Sequence, residues 1–169
     1  MGSTVVYLMD GTTEVAASSV LDTSYVLEDG YLLFALTEVV FCRTCCDLGL
    51  GERIPSIEEA TAAFTHADRY TLKALRKQKT MAYDWAMERK RCYEWRLARV
   101  APPRCLTCGG HELFVVDGEQ CRDPVSGHEF ILSQCYLYQD PFPSSFIRLS
   151  PEGTVLEADY GPQADDEDR

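Results

Sequence analysis

The chain of 169 residues carries a formal net charge of −11, and 46% of its residues are hydrophobic. That size and apolar content suit one ordinary domain with a sizeable core and exclude a disordered chain. The negative balance excludes general attraction to nucleic acid or anionic lipid, although the charge is spread unevenly along the chain.

In chain order, residues 4–9 read as a strand, Asp10-Gly11 as a tight turn and residues 12–16 as the return strand. Asp-Gly between β-prone runs is a strong hairpin signal, because both central positions of that turn take positive φ. A second hairpin follows, with residues 24–27, a turn at Glu28-Asp29-Gly30, and the long apolar run 31–41, expected as a strand buried on both faces. Ser56-Ile57-Glu58-Glu59 forms a capping box, which predicts a helix over residues 57–65. Residues 68–100 then contain no Gly or Pro, with Pro102-Pro103 as the stop. Apolar or small residues recur at Leu72, Leu75, Ala82, Trp85, Ala86, Cys92, Tyr93 and Leu97, near the helical period. One straight helix there would span about 50 Å, and two helices broken near 78–80 fit equally well. Past this segment β character returns in residues 111–116, 120–125, 129–138, 145–149 and 154–158, punctuated by Asp117-Gly118, Ser126-Gly127 and Pro151-Glu152-Gly153. Residues 161–169 read as an acidic, solvated tail.

Two matched motifs stand out against this background, Cys42-Arg43-Thr44-Cys45 and Cys105-Leu106-Thr107-Cys108. Each lies where a strand-like run meets a turn. Two thiolates spaced in this way grip one metal ion from one side, and a second pair completes a tetrahedral four-sulfur site. Disulfides or simple buried thiols are the competing readings. A redox centre would need a helix N-terminus directly after the motif, which neither shows. No secretory signal is evident, since the apolar residues 5–9 lack a basic flank, and no run reaches the roughly 18 apolar residues of a membrane span. A cytoplasmic, reducing setting is therefore expected, where such pairs serve as ligands more often than as bridges.

The paired turns, the second continuing as Cys108-Gly109-Gly110, resemble the knuckles of zinc-ribbon proteins. The resemblance covers those two motifs alone, and the long segment between them departs from the compact ribbon. It implies one structural zinc ion (Zn2+) held by Cys42, Cys45, Cys105 and Cys108, and no particular activity. Among the remaining cysteines, Cys46 and Cys92 are expected in the core. Cys121 and Cys135, with His111 and His128, form a scattered set that could reach a second metal if the strands aligned.

From residue 66 to residue 104 there are eleven Lys or Arg against four Asp or Glu. Arg76, Lys77 and Lys79 cluster, as do Arg89, Lys90 and Arg91, with Trp85 and Trp95 nearby. Cations interleaved with aromatics can track phosphates and stack on bases. The plainer reading packs this segment on the acidic β body, its aromatics in the core. No G-x-S-x-G, H-E-x-x-H or Gly-rich phosphate loop is present, so no catalytic constellation is legible.

The expected fold is α+β. A β-hairpin-rich, zinc-binding body (1–55 and 101–160) is interrupted by a long helical insertion (56–100) between the two knuckles, with the tail at 161–169. The expected function is a non-enzymatic protein-interaction module, such as a small acidic inhibitor, immunity-type or regulatory protein. Nucleic-acid binding through residues 69–104 and a metal-dependent enzyme are the alternatives. A salt titration against oligonucleotides separates the first of these, because phosphate contacts produce a steep salt slope.

Overall fold

The computed structural model describes residues 2–18, 22–75, 81–138 and 145–159, with side chains described for 4–17, 22–66, 84–135 and 145–159. The elements are β1 (Gly2–Met9), β2 (Thr13–Ser18), β3 (Asp22–Val26), β4 (Leu32–Phe34), β5 (Thr37–Cys42) and β6 (Asp47–Glu52), then α1 (Ile57–Leu75) and α2 (Met81–Ala98). There follow β7 (Leu113–Val115), β8 (Gln120–Arg122), β9 (Glu129–Tyr138), β10 (Phe146–Leu149) and β11 (Val155–Asp159). The strands form three sheets, ordered β2-β1-β9-β8, β11-β10-β3-β4 and β6-β5-β7.

This corrects the expected fold class. The described chain is mostly β-sheet, with eleven strands and two helices of 19 and 18 residues, and it shows no long helical insertion. Two physical facts account for the difference. First, the stretch after the first cysteine pair turns straight back as β6, which pairs with β5 from Cys42↔Asp47 to Thr37↔Glu52. Second, α2 is part of the core rather than an arm. Its Trp95 is buried in one cluster with Tyr25, Leu33, Leu50, Leu106, Ile147 and Leu149, while α1 lies against α2 with Phe64 stacked on Tyr93 at 4.8 Å. The expected break near 78–80 and the acidic tail at 161–169 lie outside the described residues.

Turn chemistry acts as the sequence implies. Asp10 and Gly11 take φ of 52° and 72° between β1 and β2, and Gly153 takes 81° between β10 and β11. The capping box forms reciprocally at the start of α1: Glu59 N–H donates to Ser56 Oγ at 3.0 Å, and Ser56 N–H donates to Glu59 Oε2 at 2.7 Å. The apolar run 31–41 is not one strand. Ala35 N–H still bonds the Thr23 carbonyl of β3, but the Leu36 carbonyl accepts from Arg53, so the chain changes sheets there. β7 and β8 likewise part company, one pairing with β5 and the other with β9.

The β5–β6 hairpin links two cores. Cross-strand partners share a face, and on this one Phe41 and Leu48 join Tyr7, Ala17, Val116 and Phe130. Leu50 joins the Trp95 cluster instead, and Val39 packs against both. On the opposite face Gly51 lies under Val40: a Cβ there would come within 2.9 Å of both Val40 methyls. Among the described residues, no helix is long and apolar enough to cross a membrane.

Candidate metal centre

The two cysteine motifs, far apart in sequence, meet at the end of the β5–β6 hairpin. The first motif is the hairpin's own turn: β5 ends at Cys42 and β6 begins at Asp47. The second is stitched to the edge of β6. Glu52 N–H donates to the Arg104 carbonyl, Leu106 N–H donates to the Leu50 carbonyl at 2.9 Å, and Cys105 bridges to Gly51. Across the gap Gly110 lies against Thr44, where a Cβ would come within 2.6 Å of the threonine hydroxyl oxygen. Only glycine allows that approach.

The four sulfurs of Cys42, Cys45, Cys105 and Cys108 all lie within 4.8 Å of one another, with Cys42 and Cys108 at 3.5 Å. Tetrahedral ligation at about 2.3 Å from ion to sulfur places sulfurs about 3.8 Å apart, so this set can hold a metal ion. Covalent bridging needs about 2.05 Å, and all eight cysteines are free thiols. The disulfide reading of the motifs is thereby set aside. Cys42 and Cys105 are buried, whereas Cys45 and Cys108 face solvent.

The two motifs share one local geometry. The first cysteine of each accepts hydrogen bonds from the backbone N–H groups two and three residues on: Thr44 and Cys45 onto Cys42, Thr107 and Cys108 onto Cys105. Gly110 N–H adds a contact to Cys108 Sγ at 3.4 Å. Burial pushes the Cys42 thiol up, but the Cys45 N–H, the Cys108 thiol and the Thr44 N–H outweigh it and bring the group down to about 7. Burial raises Cys45 and Cys105, and the neighbouring thiols add to it. Four close sulfurs cannot all become thiolates without a cation among them, and the Cys108 and Cys45 thiols, which lower Cys42 but not Cys105, distinguish two otherwise alike positions.

The residue after each second cysteine is left-handed, Gly109 at φ 74° and Cys46 at φ 56°. Glycine takes that conformation without strain and cysteine does not. Cys46 is therefore not in the core as expected. It is exposed, with its thiol directed to the Arg43 carbonyl at 3.4 Å. Cys46→Gly is expected to raise stability by about 0.5 kcal/mol, the left-handed strain relieved less the added chain entropy of glycine. Thermal unfolding and metal content check this together, since loss of metal would show Cys46 to be a ligand.

Arg43, inside the first motif, braces it against the β8–β9 turn. Its Nε and terminal nitrogen donate to the two carboxylate oxygens of Asp123 at 2.8 and 2.6 Å. Asp123 is fully buried and also accepts from Ser126 Oγ and from the N–H groups of Val125 and Ser126. The Arg43 bond, ahead of these others, holds the Asp123 carboxyl far below the ordinary range. No run or spacing in the sequence marks this pair.

The other expected positions are dispersed. Cys92 is half-buried against the Trp95 cluster. His111 bonds the Pro103 carbonyl, His128 bonds Asp10, Cys121 is half-buried and Cys135 is exposed. Among the described residues, no second group of three or more metal-ligating side chains converges. Of the basic segment, Arg76, Lys77 and Lys79 lie outside the described side chains. Arg89 sits over the Trp85 ring at 5.0 Å, Lys90 faces Glu94 at 3.6 Å, and Arg91 bonds Asp29 at 2.6 Å while covering Tyr31 at 4.0 Å. Trp95 is buried and its indole N–H donates to the Pro151 carbonyl. No family model, curated protein or solved structure matches this chain, so the metal centre rests on its own geometry.

Proposed function

We propose that Cys42, Cys45, Cys105 and Cys108 hold one structural zinc ion, and that the protein is a zinc-stapled module that binds another protein in the cytoplasm rather than performing catalysis. The observation that carries this reading is the convergence of four cysteine sulfurs within 4.8 Å. Soft thiolates in a tetrahedral set favour zinc, or iron, over magnesium or calcium. Four protein ligands leave no open position for water or substrate, which is the pattern of a structural rather than a catalytic site. When bound, the ion neutralises the thiolates and cross-links the β5–β6 turn to the strand edge after Arg104. The net charge of −11 suits a basic partner, in the manner of a small inhibitor or regulatory protein covering a positive face. Nucleic-acid binding draws less support, because Trp95 is buried and Arg91 is engaged by a carboxylate of the same chain.

Elemental analysis of the purified protein is expected to give one zinc per chain. Cobalt substitution is expected to give the visible bands of a tetrahedral four-thiolate ion. A red, iron-containing protein, or a folded protein with no bound metal, would overturn the zinc assignment.

A further inference from the structure

We propose that the groove between α2 and the β3–β4 turn docks an exposed segment of a basic partner protein, which lays an apolar side chain against Leu27 and Met87 between flanking lysines or arginines. This rests on the reading that the protein works by binding another protein, and it supplies the surface and the chemistry of the segment bound.

The groove encloses about 570 Å³, with α2 as one wall, the turn at Leu27, Glu28 and Asp29 as the other, and Pro151 at one end. Its floor is apolar, formed by Leu27, Met87, Trp95 and Ala98. Trp95 is the buried base of the groove, its ring held against Tyr25 and its N–H spent on Pro151, while Leu27 and Met87 above it are half-buried. Well-packed apolar pockets with rigid walls are where binding energy concentrates in protein interfaces.

Rim charge selects the occupant. Both lining cations are matched within the chain, Lys90 with Glu94 and Arg91 with Asp29. Glu28 remains beyond those two pairs, and Asp84 and Glu88 add negative charge beside Tyr31, on which Arg91 lies. Three lining carboxylates, Glu28, Asp29 and Glu94, therefore stand against two lining cations, both of which are paired, so that Glu28 carries the charge left over. Such a rim repels phosphates and acidic segments and attracts basic ones. A small polar ligand would need converging polar groups to orient it, and the Trp95 N–H in the floor is already taken.

The test uses Trp95 as its own reporter. The zinc-loaded chain has two tryptophans, and Trp85→Phe leaves Trp95 alone. The probes are a short peptide with central leucines flanked by arginines, the same peptide with glutamates for arginines, and the same peptide with serines for leucines. The arginine–leucine peptide is expected to change Trp95 emission saturably and to bind about tenfold more tightly than either control. Ala98→Phe fills the groove and Glu28→Lys reverses a rim charge, both at exposed positions. Each is expected to weaken that peptide about tenfold with an unchanged melting temperature and zinc content. Equal binding of all three peptides, or full binding by the Ala98→Phe chain, overturns the proposal. If immobilised wild-type protein retains a host protein that the Ala98→Phe chain retains equally, the groove is overturned and the protein-binding reading stands. If the peptides fail and no host protein is retained, both are overturned.

Discussion

Cys105→Ser is expected to leave a chain with no stoichiometric zinc and no cooperative unfolding transition. Binding of a structural zinc by four thiolates contributes roughly 10–16 kcal/mol at neutral pH, while the net stability of a folded domain is about 5–15 kcal/mol. The first quantity equals or exceeds the second, so removing one ligand removes most of what keeps the fold together. The local structure agrees. Cys105 is buried, it bridges Gly51 on the β6 edge, and its neighbour Leu106 is part of the Trp95 cluster. Loss of the clasp releases the stretch from Arg104 to Leu106 and opens that core. A strong chelator at neutral pH is expected to act in the same way on the unmodified protein. Cys135→Ser, at an exposed cysteine outside the sulfur cluster, is expected to keep both zinc and the unfolding transition. Elemental analysis and circular dichroism on heating read both arms. A Cys105→Ser chain that unfolds cooperatively at the wild-type temperature without metal would show that the clasp is not what holds the fold.

The cysteine pairs were legible because their chemistry is local: two thiols on one turn grip an ion whatever the rest of the chain does. The hairpin turns were legible for the same reason, since Asp10, Gly11 and Gly153 declare a backbone conformation that few residues take. The capping box at Ser56 and Glu59 is equally local. What could not be read was decided between distant segments. Nothing in residues 31–41 marks Leu36 as the point where the chain leaves β3 for Arg53 of the neighbouring hairpin. Nothing in residues 146–149 indicates that β10 runs parallel to β3. The insertion was over-read because residues 68–100 lack Gly and Pro, whereas α2 enters the core through Ala86 and Trp95, with Cys92 packed against the Trp95 cluster. Cys46 was misread for a different reason: its left-handed backbone becomes visible only when the two motifs are superposed and Gly109 is seen to fill the same position.

Glu52→Gln is expected to lower stability by about 3–5 kcal/mol, or roughly 10–15 °C in melting temperature for a chain of this size. Glu52 is fully buried, and both of its oxygens are used twice. Oε1 accepts from the Tyr25 hydroxyl at 2.8 Å and from Arg99 at 3.1 Å, while Oε2 accepts from Arg99 at 2.8 Å and from the Arg104 N–H at 2.9 Å. Burial, then the Glu52 charge and hydrogen bond, pushes the Tyr25 phenol well above its ordinary value, so it stays a donor. Arg99 also donates to the carbonyls of Pro151 and Ala101 and lies 5.5 Å from the Tyr25 and Trp95 ring centres. One ion pair thus joins the end of α2, the β10–β11 turn and the approach to Cys105. Gly153 closes over it, since a Cβ there would overlap the Glu52 carboxylate and the Arg99 guanidinium. An amide in place of the Glu52 carboxylate turns an NH2 towards donors on one side and leaves the buried Arg99 charge with only the half-exposed Glu152 at 3.9 Å. Replacing both partners together, Glu52→Leu with Arg99→Met, is expected to cost less than Glu52→Gln alone, because desolvating the pair offsets most of its attraction. Thermal unfolding at saturating zinc, run as a double-mutant cycle, measures the coupling. A Glu52→Gln loss below about 1 kcal/mol, within the range of surface pairs, would mean that water reaches the carboxylate and that the junction is held by packing alone.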